Sequence, residues 1–350
     1  MSNAIPRSPE DVTPAWLGGV LGADVRGIDI TPIGTGQTGA TYRLTVRYGG
    51  DEGGLPGTFA VKLPSQDDTV RDRVAIGYRS EHAFYANVAD LVRVPIPRNY
   101  HCEIAGDGAE FVLLLADMAP AEQGDQIAGC SVAEAKLAVR ALAGLHAPSW
   151  CDPKLSDFPG IAMPKPDAGM ASGMGDVAKM ATEITLEKLG DRMSADDRAT
   201  LAASMAMVTP WLMAETNRFA LLHGDYRLDN MLFDPARTQV TIVDWQTLGS
   251  GLPTRDLAYF TGTSLDPQTR AAAEQELVAD YHGELCALGV QDYDLETCWR
   301  DYRLGMLQAP LIIVFGVAFA TSTERGDDMM LAMAERSCRA IRELDTLALI

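Results

Sequence analysis

The chain has 350 residues, enough for a large core and two lobes, and its composition is that of an ordinary soluble globular protein. A formal net charge of −19 argues against nucleic-acid binding, because polyanions repel an acidic surface. That charge suits a cationic substrate, or serves colloidal solubility alone.

Met1-Ser2-Asn3-Ala4-Ile5-Pro6-Arg7 has no long apolar stretch and soon meets Glu10 and Asp11, so it does not read as a signal peptide. Thr13-Pro14 has the form of a helix N-cap followed by proline at the first helical position, with a short helix to about Leu21. Residues 25–33 read as a strand. After Gly34-Thr35-Gly36-Gln37-Thr38-Gly39, residues Tyr42, Leu44, Val46 and Tyr48 alternate with Arg43, Thr45 and Arg47, the period of two of a half-buried strand. Residues 49–54 form a turn and 58–63 a third strand. A helical pattern covers 72–89, and strands are expected near 100–104 and 110–115. The first part of the chain is thus a small sheet with one crossing helix.

After Asp117-Met118 the character changes. Ser131 with Glu134 forms a capping box before a helix ending near His146. Residues 151–176 are rich in Pro, Gly, Met and Asp and read as a long loop or insertion. Helices are expected at 181–189, at 195–217 and from 268 onward. Residues 304–323 carry no charge, and their length is marginal for a bilayer, which needs roughly 20 residues. A buried helix of the larger lobe is expected there, with no membrane span. Six cysteines, at 102, 130, 151, 286, 298 and 338, form no Cys-x-x-Cys pair and fit a reducing cytoplasm.

The chemistry concentrates in His223-Gly224-Asp225-Tyr226-Arg227-Leu228-Asp229-Asn230 and Val243-Asp244-Trp245-Gln246. Phosphoryl transfer from a nucleotide needs one carboxylate to orient the attacking hydroxyl and take its proton. It also needs an amide oxygen and a second carboxylate to hold magnesium. Asp225 is the candidate base, Asn230 and Asp244 the candidate metal ligands, and His223 a scaffold residue that fixes the loop by hydrogen bonds. Gly34, Gly36 and Gly39 have the spacing of a dinucleotide-binding turn, which requires a following helix; a strand follows instead. That fits a glycine-rich hairpin folded over nucleotide phosphates, or a plain flexible turn. Lys62, on the next strand, is placed to hold the α- and β-phosphates with Glu81 as its helix partner. Taken singly, Lys62 reads equally as an edge lysine and Glu81 as a solvated helix residue.

These residues, with Ala141-Leu142-Ala143-Gly144-Leu145-His146-Ala147 and Arg255-Asp256-Leu257-Ala258-Tyr259, make the chain resemble the kinase-like phosphotransferases typified by aminoglycoside phosphotransferases and choline kinases, including the ecdysteroid-kinase-like branch. The resemblance implies an α+β, two-lobed protein-kinase-like fold. A nucleotide-binding lobe would span residues 1–116, with an antiparallel sheet and one crossing helix, and a mainly helical catalytic and substrate lobe 117–350. It implies ATP and Mg²⁺ as cofactors and a small-molecule hydroxyl as acceptor. By position it assigns Asp225 as catalytic aspartate, Asn230 and Asp244 as metal ligands, Lys62 and Glu81 as the phosphate-binding pair, and Asp256 as a buried support for the loop. Residues 111–118, with Leu115 and Asp117, would be the hinge that meets adenine through backbone groups.

The chain departs from protein kinases at Gly224, where they carry Arg, and at Trp245-Gln246, where they carry Phe-Gly. Eleven residues between Asp244 and Asp256 are too few for a regulatory loop and peptide platform. The alternatives are a nucleotide-binding pseudokinase acting through a protein partner, or a nicotinamide-binding protein. The strand after Gly39 speaks against the second. For the acceptor, the acidic charge favours an amine-bearing alcohol, whereas residues 304–320 with Trp211 and Trp299 suit a lipophilic one.

Overall fold

A computed structural model describes residues 4–33, 39–50, 53–106, 108–156 and 158–350. Gly34 and Gly36 lie outside the described residues.

The first lobe opens with α1 (Pro14–Leu21), whose N-cap Thr13 accepts a hydrogen bond from the Trp16 amide. Strands β1 (Val25–Ile33), β2 (Gly39–Tyr48) and β3 (Thr58–Pro64) follow, then α2 (Asp68–Asn87), β4 (Asn99–Ala105) and β5 (Glu110–Ala116). The five strands form one antiparallel sheet in the order β1-β2-β3-β5-β4. Alternation sorts the side chains of β3: Phe59, Val61 and Leu63 are buried against Trp16 and Leu17 of α1. Lys62, of opposite parity, emerges on the other face, toward α2. Helix α2 buries Gly77, Tyr78, Glu81, Phe84 and Tyr85, the i, i+3, i+4, i+7 stripe of a core-facing helix. Glu81 is the charged member of that stripe.

The linker after β5 leads through β6 (Glu122–Gln123) to α3 (Val132–His146), whose Ser131–Glu134 capping box forms as expected. Next come α4 (Pro153–Ser156), α5 (Ala168–Leu189), α6 (Ala195–Ala206) and α7 (Val208–Ala214). Strands β7 (Ala220–Leu222), β8 (Met231–Phe233), β9 (Val240–Ile242) and β10 (Gly249–Gly251) pair as β10-β7 and β6-β8-β9. The lobe ends with α8 (Thr254–Ser264), α9 (Pro267–Ala287), α10 (Leu295–Gly305), α11 (Gln308–Phe319) and α12 (Glu324–Glu343). All eleven residues of α8 are buried, which makes it the central post of this lobe.

Helix α5 starts at Ala168, inside the segment expected to be a loop. Its glycines serve packing: a Cβ on Gly175 would lie 2.1 Å from Thr209 Oγ1 on α7. The helix expected over 195–217 is broken at Met207 into α6 and α7. The uncharged stretch is shared between the end of α10 and α11. Leu295–Phe319 is long and apolar enough to cross a membrane by length and composition, and most of that window is buried against the rest of the chain. Leu304, Leu311 and Val314 pack with Trp211, whose indole N–H donates to Leu304 O at 2.8 Å.

Candidate active site

Residues from four separate segments meet where the two lobes join. Lys62 Nζ lies 2.7 Å from Glu81 Oε2 and 3.1 Å from Asp244 Oδ1. The Glu81 side chain is buried and that of Lys62 is 13% exposed, whereas the Asp244 side chain is 37% exposed. Burial pulls the pKa of the ammonium down; Asp244 and Glu81 together outweigh it and hold it above the ordinary lysine value. Burial raises the Glu81 carboxyl, and the ammonium beside it opposes that rise.

The segment after β9 is locked to α2. Trp245 N–H donates to Glu81 Oε1, and Ser80 Oγ donates to Trp245 O at 3.1 Å. The Trp245 ring stacks on Phe84 with centroids 3.7 Å apart and planes within 3°. Asp244 itself has φ +69°, a left-handed conformation worth about 1–3 kcal/mol of strain in a non-glycine residue. That turn aims its carboxylate back at Lys62.

The loop between β7 and β8 carries His223 to Asn230. Asp256 and Tyr259, three residues apart on one face of α8, support it from below. Asp256 Oδ2 accepts the His223 amide at 2.6 Å and Oδ1 the Gly224 amide at 3.1 Å. His223 Nε2 donates to Val243 O at 3.0 Å, and its Nδ1 accepts the Asp225 amide at 3.3 Å. Both ring nitrogens are thereby committed to scaffolding, as the sequence suggested. Gly224 has φ +81°, and a Cβ there would sit 2.3 Å from Thr247 O. Only glycine fits.

Asp225 is fully engaged. Arg227 Nε donates to both carboxylate oxygens at 2.9 Å, Tyr259 OH to Oδ1 at 2.8 Å, and Asn230 Nδ2 to Oδ2 at 3.0 Å. Burial pushes this carboxyl up, but the Arg227 charge and these hydrogen bonds prevail and hold it below the usual carboxylate range. Arg227 is held in turn by Asp229 and reaches Met329 of α12, while Arg325 of α12 also pairs with Asp229. Sequence reasoning gave Arg227 and Tyr259 no role, although both stand inside the quoted motifs. The contact between α8 and the loop discloses Tyr259, and the folding of the loop on itself and against α12 discloses Arg227.

Asn230 donates both amide protons to Asp225, one to its backbone carbonyl at 2.8 Å and one to its carboxylate. The Asn230 Oδ1 is then the atom available to a ligand. Val243 N–H donates to Asn230 O at 3.0 Å, which sets Asp244 beside Asn230. The oxygen pair of Asn230 and Asp244 is hard and sparse. Among the described residues no cluster of three His, Cys, Asp or Glu forms a metal cage. That donor set fits Mg²⁺, which takes one or two protein oxygens and completes its shell with phosphates and water.

In the first lobe, Leu115 lies in β5 between Ala60 and Asn99 of its neighbours. Asp117 follows that strand, but Arg43 grips its carboxylate at 2.7 and 3.1 Å and the Ala119 amide donates to it. Burial raises this carboxyl, yet Arg43 and Ala119 lower it overall. The Asp117 side chain thus anchors the linker to β2. Gly39 opens β2 opposite Pro64 of β3.

A model of the phosphotransferase enzyme family matches residues 29–294. The chain belongs to this family. Its fold is similar to that of a choline kinase from Cryptosporidium parvum Iowa II, with 9% identity, coverage of 92% of this chain and 91% of the other, and a TM-score of 0.58. It is also similar to an aminoglycoside 2'-phosphotransferase-IIIa solved as its GDP complex, with 17% identity, coverage of 89% and 93%, and a TM-score of 0.50. Among curated proteins, acyl-CoA dehydrogenase family member 11 of Gallus gallus is 36% identical over 67 residues, which span 19% of this chain and 9% of that protein. The family and the fold agree with the kinase-like, two-lobed α+β architecture described above.

Proposed function

We propose that this phosphotransferase moves the γ-phosphate of ATP, with Mg²⁺, to a hydroxyl of a small molecule. The observation that carries the reading is the joining of two clusters in one cleft: Lys62 with Glu81 and Asp244, and Asn230 with Asp225.

In this reading the Lys62 ammonium, kept charged by two carboxylates, binds the α- and β-phosphate oxygens. Asn230 Oδ1 and the open oxygen of Asp244 would hold Mg²⁺, which when bound neutralises the phosphate oxygens and the charge developing on the leaving group. Asp225 orients the acceptor hydroxyl and accepts its proton as the new O–P bond forms and the β–γ bridging bond breaks, leaving ADP. A carboxylate held below its usual pKa is a weak base, which suits a loose transition state in which the proton leaves late. The short connection from Asp244 to α8 leaves no peptide-docking platform, in keeping with a small acceptor. Because most of residues 304–318 and Trp211 are spent on packing, a lipophilic acceptor draws little support from them.

The test is a panel of hydroxyl compounds, choline-like and aminoglycoside-like alcohols included, followed by ADP release. Acceptor-dependent ADP formation that Asp225→Asn abolishes is the expected outcome. ATP binding with no transfer to any acceptor would instead favour a pseudokinase.

A further inference from the structure

Outside the candidate active site, the buried Arg255 guanidinium has no hydrogen-bonding partner among the described residues. It is the second residue of α8, one position before Asp256. It is 6% exposed, its guanidinium lies 4.3 Å from the Trp211 ring centroid, and among the described residues that side chain makes no hydrogen bond or ion pair. Its Nε is wholly enclosed and unpartnered. Burial pushes its pKa down to about 10 against the pull of Asp256. A buried guanidinium with idle donors is costly unless something meets it.

The guanidinium lines a small cavity of about 10 Å³, together with Lys165, Phe219, Arg218 and Glu215. Gly251 leaves the room: a Cβ there would stand 3.1 Å from Arg255 Nη1. The acidic groups nearby are occupied elsewhere. Glu215 pairs with Arg218 at 2.7 Å and accepts the Asn217 amide at 2.9 Å. Asp301 is held by Arg218, and Asp256 by the His223 and Gly224 amides. At the mouth, the exposed Lys165 lies with its ammonium 4.5 Å from the Phe219 ring centroid. The cavity sits beside the first turn of α8, where the helix dipole is positive and no side chain caps the end.

Volume decides the occupant. About 10 Å³ of room for the centre of a water-sized sphere suits a small ion better than phosphate, sulfate or a carboxylate. Water satisfies donors but leaves the charge uncompensated. We propose that this cavity is a binding site for one monatomic anion, chloride in solution, held by the Arg255 guanidinium with Lys165 at the entrance. Chloride there fixes the start of α8, and so the Asp256 carboxylate that holds the His223 and Gly224 amides.

The proposal is independent of the acceptor and of the reaction. Thermal unfolding of the full chain is followed as chloride replaces gluconate at constant ionic strength. Chloride is expected to raise Tm saturably, by roughly 2–4 °C at tenfold excess over its Kd. Arg255→Gln should erase the difference between the two salts. Lys165→Gln, at an exposed position that folding tolerates, should displace the chloride midpoint several-fold upward. If Arg255→Gln fails to fold, crystals of the unaltered chain grown in bromide decide. An anomalous peak in hydrogen-bonding contact with Arg255 supports the site. Water in the cavity, or identical Tm in chloride and gluconate, overturns it.

Discussion

Tyr259 OH donates a 2.8 Å hydrogen bond to Asp225 Oδ1, so that the post of the second lobe grips the carboxylate on which transfer is proposed to depend. Tyr259 is fully buried and points from the same face of α8 as Asp256. One helix therefore sets both the backbone of the loop and the orientation of its carboxylate. Tyr259→Phe deletes that donor and nothing else. We expect kcat to fall about tenfold, and the acid limb of the kcat/KM profile to move upward, because one of the bonds that depress the Asp225 pKa is gone. A purely structural tyrosine would lower stability without moving that limb.

Asp225→Asn should retain nucleotide binding and lose about 10²–10⁴ in kcat. Nucleotide affinity by calorimetry and turnover by ADP release separate the two effects. Unchanged turnover contradicts the assignment.

The same substitution has a pH signature in stability. Asp225 has a depressed folded-state pKa, so its contribution is present above the unfolded value of about 3.9 and is lost as pH falls through the folded value. Between pH 6 and pH 3, Tm of the unaltered chain should fall more steeply than Tm of Asp225→Asn. Parallel curves would refute the linkage.

Glu81→Gln leaves Lys62 with Asp244 as its remaining carboxylate. Removing one partner of a buried pair costs about 3 kcal/mol at the low end of the usual range, which is appropriate where a second carboxylate remains. Urea unfolding should show this loss, and KM for nucleotide should rise more than kcat falls.

Gly224→Ala combines a left-handed backbone, about 1–2 kcal/mol for alanine, with a Cβ 2.3 Å from Thr247 O. Gly106→Ala, at φ +61° with open space around it, carries only the first term. The difference in unfolding free energy between the two variants isolates the overlap, and activity should vanish only for Gly224→Ala.

Much of this architecture is written locally. Alternation over Tyr42 to Tyr48 and the Ser131–Glu134 box determine their elements almost unaided, because each rests on neighbours within a few residues. Likewise the order of Lys62, Glu81, Asp225, Asn230 and Asp244 announces one constellation. What escapes the sequence depends on contacts between distant segments. Gly169, Gly173 and Gly175 look like breakers until Thr209 is seen to press against one of them. Tyr259 shows no role until α8 is brought beneath the loop, and Arg227 none until the loop folds against α12. The bond from the Asp117 side chain to Arg43, 74 residues earlier, is likewise beyond local reading.

The central claim is that Asn230 and Asp244 share one divalent cation beneath a nucleotide, and diffraction from crystals grown with a non-hydrolysable ATP analogue and Mg²⁺ tests it most directly. The account predicts a cation about 2.1 Å from Asn230 Oδ1 and from an Asp244 oxygen, bridged to the phosphates, with Lys62 against them. A nucleotide bound in the cleft with no cation on those two oxygens, or seated away from Lys62, would contradict it.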